Sequence, residues 1–349
     1  MEEKAMRKYF AASNSAEGFV NYFPRIFNRE NCDRIYVIKG GPGTGKSRFM
    51  NEVAAAAEKN GMDVAYYYCS SDADSLDGII IGGLGIGFVD GTAPHAYEPT
   101  LVGAFEQIIN LGDFWDANKL AERRGEIFEL SGKKSEAYRR AYSLLAAYGN
   151  ILRTAESLVA PVVDFKKLAS AVKRLLHKLP QGSGTSPKIA IRRSVGMNGL
   201  IGFDSIDREA ETVYAVNDYH GTAHFVMKAL LEEATARKMS VCLSYDPIMR
   251  DRPDGILLRD CGIAFVCGVP AERVINAKRF VKDEDFRLVR DALKGIESTA
   301  RDIMSHVLAA FIEVKKYHFE LEGIYSSAMD FESKEDYTRE FIKKLFLLE

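Results

Sequence analysis

Eight residues constrain this chain more than any others: Gly40-Gly41-Pro42-Gly43-Thr44-Gly45-Lys46-Ser47. Their spacing is GxxxxGK[ST]. Glycines placed this way let the backbone wrap closely around an anion with its N–H groups turned inward. Before the loop, Arg34–Ile38 is a short β-branched and aromatic run, which predicts a buried strand. After it, Met50, Val53, Ala54 and Ala57 fall at i, i+3, i+4 and i+7. That spacing predicts an amphipathic helix over Ser47–Lys59, ended by Asn60-Gly61. A helix that starts on such a loop aims its positive end at whatever the loop holds. The expected ligand is the phosphate chain of a nucleotide, wrapped by Gly40 through Arg48. Lys46 would reach the β- and γ-phosphates, and the Ser47 hydroxyl would ligate Mg²⁺.

The chain also repeats itself. Tyr36 matches Tyr214, Gly43 matches Gly221 and Thr44 matches Thr222. After a one-residue shift, Val64 matches Val241, Asp74 matches Asp251, and Asp77-Gly78 matches Asp254-Gly255. Gly85-Ile-Gly-Phe-Val-Asp-Gly91 then meets Gly262-Ile-Ala-Phe-Val-Cys-Gly268. Upstream, Glu17-Gly18-Phe19 meets Asn198-Gly199-Leu200; downstream, Glu156 and Asp164-Phe165 meet Glu322 and Asp330-Phe331. Val64–Tyr68 and Gly85–Val89 read as further strands, and the stretches after Leu101 and after Glu284 as mainly helical. Strands alternating with helices predict an α/β fold, a parallel sheet of the P-loop NTPase type flanked by helices. It is duplicated, each half with a helical extension. The expected halves are residues 1–180, with the intact loop, and 189–349, a degenerate copy. The Gly-, Ser- and Pro-rich residues 181–188 between them read as a flexible linker. A length of 349 residues suits two domains at about 150 residues each.

The repeat acts as an internal control on the site. The matched loop is Asn217-Asp218-Tyr219-His220-Gly221-Thr222-Ala223-His224-Phe225, so Gly45, Lys46 and Ser47 are replaced by Ala223, His224 and Phe225. Asp218 adds a negative charge where a phosphate would sit. The second loop is therefore not expected to bind nucleotide. Asp74 and Asp77 keep aspartate counterparts, which points to a role in the fold. Asp72 faces Met249 and Asp90 faces Cys267, so these two carboxylates vanish together with Lys46 and Ser47. Asp90 ends a glycine-rich apolar strand, where a P-loop enzyme places the acid that holds Mg²⁺ or its water shell. Asp72 lies at the carboxyl end of the preceding strand, facing the same crevice. His95 follows closely and could polarise water or contact a substrate. Arg123, Arg124, Arg139 and Arg140 are candidates for a cation that closes over the phosphates.

The balance of charges is slightly acidic, −2 at pH 7, which argues against nucleic acid as a partner. No stretch reaches the roughly 18 apolar residues of a membrane span. The start of the chain has no apolar core of the kind a signal peptide needs. The odd number of scattered cysteines, five, argues for a reducing compartment and against a disulfide framework. The expectation is a cytoplasmic protein.

Four segments carry a resemblance: Glu17-Gly-Phe-Val-Asn-Tyr-Phe23, Lys39 to Ser47, Cys69-Ser-Ser-Asp-Ala-Asp-Ser-Leu-Asp-Gly78, and Val89-Asp-Gly-Thr-Ala-Pro-His95. In them, and over nearly its whole length, the chain resembles a family of poorly characterised bacterial two-half P-loop ATPases. The resemblance implies ATP binding and hydrolysis and names no substrate. Related chains often keep a P-loop-like motif in the second half, and this chain departs there. Three readings follow: an Mg²⁺-dependent ATPase that works on an unknown partner, a phosphotransferase of the nucleoside-kinase type with an unknown acceptor, and a nucleotide-gated binding module with little turnover.

Overall fold

The computed structural model describes residues 6–92, 97–184 and 186–347. The first half runs β1 (Arg7–Phe10), β2 (Ala12–Ser15), β3 (Gly18–Asn21), α1 (Phe23–Ile26), β4 (Arg34–Lys39), α2 (Lys46–Lys59), β5 (Val64–Tyr68), β6 (Leu76–Ile81), β7 (Ile86–Asp90), β8 (Glu106–Asn110), α3 (Ala117–Glu122), α4 (Arg124–Val159) and α5 (Phe165–Leu176). The second half runs β9 (Lys188–Ile189), β10 (Arg193–Gly196), β11 (Gly199–Gly202), α6 (Ser205–Arg208), β12 (Thr212–Asn217), α7 (Ala223–Ala236), β13 (Val241–Tyr245), β14 (Pro253–Leu258), β15 (Ile263–Cys267), β16 (Arg273–Asn276), α8 (Asp283–Ser327) and α9 (Phe331–Phe346).

The duplication read from the sequence is present in the topology. Six strands of the first half are ordered β1-β5-β6-β7-β4-β8, and six of the second β9-β13-β14-β15-β12-β16, the same order with matched strands in matched places. Each sheet is mixed and not parallel as expected. β4 runs parallel to β7 and β8, but β6 is antiparallel to both β5 and β7. The sequence reading assigned no strand to Leu76–Ile81. The connections on either side of β6, residues 69–75 and 82–85, are too short for a crossover, so the chain can only turn back on itself. Gly83 and Gly85, at φ +85° and +63°, supply the left-handed turn into β7. The loop-bearing strand β4 remains central, with Ile35, Val37 and Ile38 wholly buried.

The helices are exchanged between the halves. α5 leaves the first half and packs on α7, where Leu168, Val172 and Leu176 join Val226, Met227 and Leu230 in the second half's core. α9 reciprocates by packing on α2. Phe341 sets its ring edge-on to Tyr36 at 5.2 Å and to Phe88 at 5.9 Å, with Phe49 at 5.4 Å. Between them α4 and α8 lie side by side, joined through Ala137, Ala141 and Leu145 against Val307, Phe311 and Val314. Alternate small and large side chains let two long helices approach closely. Each half thus completes the other, and neither sheet has its full set of covering helices from its own residues.

The segment read as a flexible linker is held down. Gly182 and Gly184 donate to the carbonyls of Arg237 and Lys238 at 3.2 and 2.7 Å. A Cβ on either glycine would run into the backbone of residues 238–240, so glycine here serves close approach. Among the described residues no cysteine is paired; Cys32, Cys69 and Cys242 are buried and Cys261 and Cys267 half-buried. No helix among them is long and apolar enough to cross a membrane.

Candidate functional site

β4 delivers the loop and α2 begins at Lys46, so Gly45 stands at the helix N-cap in the left-handed region, φ +82°. Gly43 is left-handed too, φ +70°. Both conformations are ones that only glycine adopts without strain. Thr44 is fully buried and its hydroxyl donates to the Gly41 carbonyl at 2.9 Å, closing the loop on itself. The Thr92 hydroxyl donates to the Gly40 carbonyl at 2.9 Å and ties the loop to the end of β7.

Lys46 is folded back. Its ammonium donates to the carbonyls of Gly40 at 3.1 Å and Gly41 at 2.8 Å, and lies 3.6 Å from Asp90 Oδ2. Both side chains are about nine-tenths buried. Asp90 ends β7, in register with Ile38 of β4, and its other oxygen accepts from the Thr92 N–H at 2.8 Å. The Ser47 hydroxyl accepts from the Leu76 N–H at 3.0 Å, leaving oxygen lone-pair capacity toward the cavity. Asp72 is 6% exposed, so it is no solvated loop aspartate. It accepts from the Ser75 hydroxyl at 2.8 Å, and its loop is pinned by the other half. The Met197 N–H donates to the Ser71 carbonyl at 2.7 Å and the Ser194 hydroxyl to the Ser70 carbonyl at 2.8 Å.

These groups open on one cavity of about 740 Å³. Gly43 to Ser47, Asp72 and Asp90 form its floor, and two helices line it from above as a partial roof. The roof is Ser131, Lys134, Ser135, Tyr138, Arg139 and Tyr142 of α4 with His318 and Glu322 of α8. α8 rests directly on the loop: the Ser326 hydroxyl donates to the Gly43 carbonyl at 3.1 Å, and a Cβ on Gly43 would strike Ser326 and Glu322. Burial, and then the charge of Asp72, push the Glu322 carboxyl up, while Lys46 and the Gly43 amide pull it down. His318 is pushed down to about 4, by burial first and then by the charges of Lys134 and Lys46. Of the two, the sequence marks only Glu322, as the repeat partner of Glu156; His318 has no such signal.

Of the remaining expected site residues, Arg48 pairs with Glu52 at 3.0 Å and with Glu335 of α9 at 2.7 Å, on the rim. His95 lies outside the described residues. The arginines considered as phosphate clamps are mostly engaged elsewhere: Arg123 with Glu126, Arg139 with Glu136 and Arg140 with Glu313. Among the described residues no three His, Cys, Asp or Glu side chains gather as a metal cluster. Mg²⁺ that arrives with a nucleotide takes only one or two protein oxygens and completes its shell from phosphate and water. Ser47 and Asp90 both present oxygens to this cavity.

The matched loop of the second half is already filled. Asp218 turns its carboxylate inward and accepts from the N–H groups of Gly221 and Ala223, both at 2.8 Å. His224 is 6% exposed; its Nδ1 meets the Gly221 carbonyl at 2.6 Å and its Nε2 lies 3.4 Å from Glu156 of α4. Burial and the neighbouring Arg252 push its pKa down, against the pull of Glu156. The counterparts of the fold aspartates also have structural work. Asp254, matched to Asp77, is buried between Arg192 at 3.4 Å and Arg193 at 2.5 Å. No model of a known protein family, no curated protein and no solved structure matches the chain.

Proposed function

We propose that the chain binds Mg²⁺·ATP at Gly40–Ser47 and hydrolyses it, using this one loop of the two. The observation that carries the reading is the convergence of Lys46, Ser47, Asp72 and Asp90 on a single cavity. These are the residues whose counterparts are all lost around the filled loop of the second half. In this reading the loop amides take the phosphate oxygens. Lys46 exchanges the Gly40 and Gly41 carbonyls for the β,γ-phosphates, a better partner for an ammonium than neutral oxygen. Ser47 and Asp90 are the groups that would hold Mg²⁺, which offsets charge on the transferring phosphoryl group.

One observation supports a second reading, transfer to an acceptor. The cavity extends past the loop to Phe19, Tyr138, Tyr142 and Met197, an apolar and aromatic wall that a water molecule does not need. Phosphate release from Mg²⁺·ATP by the purified chain, beside Asp90→Asn, tests the reading. Steady release that falls about a hundredfold or more in Asp90→Asn, with ATP still bound, supports it. Tight ATP binding with no release in the wild type would favour the nucleotide-gated module instead.

A further inference from the structure

The roof of the cavity carries a cation that the loop motif does not announce. Lys134 lines the same cavity as Lys46, from α4. Its neighbours along that helix are engaged with carboxylates: Lys133 with Glu129, Arg139 with Glu136, Arg140 with Glu313. Among the described residues no carboxylate lies within ion-pair distance of Lys134. Its charge is felt by His318 on α8, and its own ammonium is pushed down by burial first and then by the charge of Lys46. Two ammonium groups facing one cavity repel each other, a repulsion that an anion between them would relieve.

The duplication supplies an independent control. From the end of the sheet onward the matched elements begin without a gap: Leu111 with Ala277, Ala117 with Asp283, Phe165 with Phe331. On that register Lys134 becomes Ala300 and His318 becomes Leu152. Glu322, whose backbone packs on the loop, keeps its glutamate as Glu156. Ser131 becomes Glu297, and that carboxylate reaches His220 of the filled loop at 2.7 Å. Lys134 is thus lost together with Lys46, Ser47, Asp72 and Asp90, whereas the packing position is kept.

We propose that Lys134 is the roof contact of the terminal phosphate, so that this site holds nucleoside triphosphate in preference to diphosphate. The proposal rests on the P-loop reading and adds the residue that senses the γ-phosphoryl group. Floor amides and Lys46 touch the phosphates that ATP and ADP share as well as the third; Lys134, opposite them, meets only the oxygens that ADP lacks. The cavity's carboxylates, Asp72, Asp77, Asp90 and Glu322, line the floor and α8; of the two α4 cations in the roof, Arg139 is paired with Glu136, which leaves Lys134 to face the cavity.

The test compares affinities for the β,γ-imido analogue of ATP and for ADP, both with Mg²⁺, in wild type, Lys134→Met, Lys134→Arg and Lys46→Ala. Methionine keeps the packing of the stem, and ADP binding reports that the site is still folded. Lys134→Met is expected to weaken the triphosphate roughly ten- to a hundredfold, the loss of one charge-assisted contact, and ADP by less than about twofold. Lys134→Arg recovers most of the difference. A triphosphate-to-diphosphate ratio unchanged in Lys134→Met, whether both affinities hold or both fall together, overturns the proposal while Lys46→Ala still tests the loop. Wild type that binds neither nucleotide overturns the P-loop reading and this proposal with it.

Discussion

His224 Nε2 lies 3.4 Å from Glu156 Oε1, so the residue standing in the place of Lys46 is met by a carboxylate from the other half's long helix. Glu322, the counterpart of Glu156, packs its backbone and stem on Gly43 of the first loop. Each loop is thus touched by the long helix of the half to which it does not belong. The two loops differ in what lies beneath the roof. One presents Lys46 to a cavity; the other has turned Asp218 inward onto its own amides.

That difference predicts the stoichiometry. Wild type binds one nucleotide per chain, and His224→Lys still binds one, because the Asp218 carboxylate continues to hold the N–H groups of Gly221 and Ala223. Isothermal titration calorimetry reads the number directly. A second equivalent bound by His224→Lys alone would show that the filled loop is not the obstacle.

Asp254 is the buried anchor of the second half. Its removal leaves the Arg192 guanidinium, 3% exposed, without its carboxylate. Asp254→Ala is expected to cost about 3–5 kcal/mol, the penalty of an uncompensated buried charge, measured by denaturant unfolding. A loss below about 1 kcal/mol would mean that the Cys267 carbonyl, 3.1 Å from Arg192, is partner enough.

The exchanged helix α9 predicts coupling across the chain. Phe341→Ala opens a hole among Tyr36, Phe49 and Phe88, and a large-to-small change of this kind costs about 3 kcal/mol. Because those rings lie under α2, nucleotide affinity falls with stability, although Phe341 is almost three hundred positions from the loop in sequence. Thermal melts with and without nucleotide check this. A variant as stable as wild type would contradict the exchange.

His318 predicts a pH dependence. Its folded value, about 4, lies below the ordinary 6.5, so the folded state favours the neutral ring. The sign follows from linkage. The stability this contributes is fully present above pH 6.5 and is lost as pH falls through about 4. NMR titration of the imidazole should give a midpoint well below 6.5, moving up in Lys134→Met as one repelling charge is removed. A midpoint near 6.5 in wild type would mean the cavity is wet and open.

The loop, its strand and its helix were legible because their chemistry is local: glycines where the backbone must be left-handed, and apolar residues at helical spacing behind them. The duplication was legible for the same reason, and Asp218 could be read as a charge inside its loop from position alone. What escaped is what depends on partners. The periodicity of α5 and α9 says that one face of each is buried, but not beneath which sheet, so the exchange was invisible. Leu76–Ile81 is a plain apolar run whose direction is fixed only by the short turns on either side. Lys134 and His318 sit among the charged residues of long helices and look solvated until α4 and α8 are laid together over the loop. Extending the repeat through the helices without a gap would have exposed Lys134 against Ala300.

The most direct test of the central claim is Mg²⁺·ATP binding by calorimetry in wild type and Lys46→Ala, with circular dichroism to establish that both are folded. The structure places the Lys46 ammonium in the cavity within reach of Asp90 and the loop. The account predicts saturable binding by wild type and a loss of roughly a hundredfold or more in Lys46→Ala, from removing a charge-assisted contact in a confined site. Equal affinity in the two proteins would contradict it.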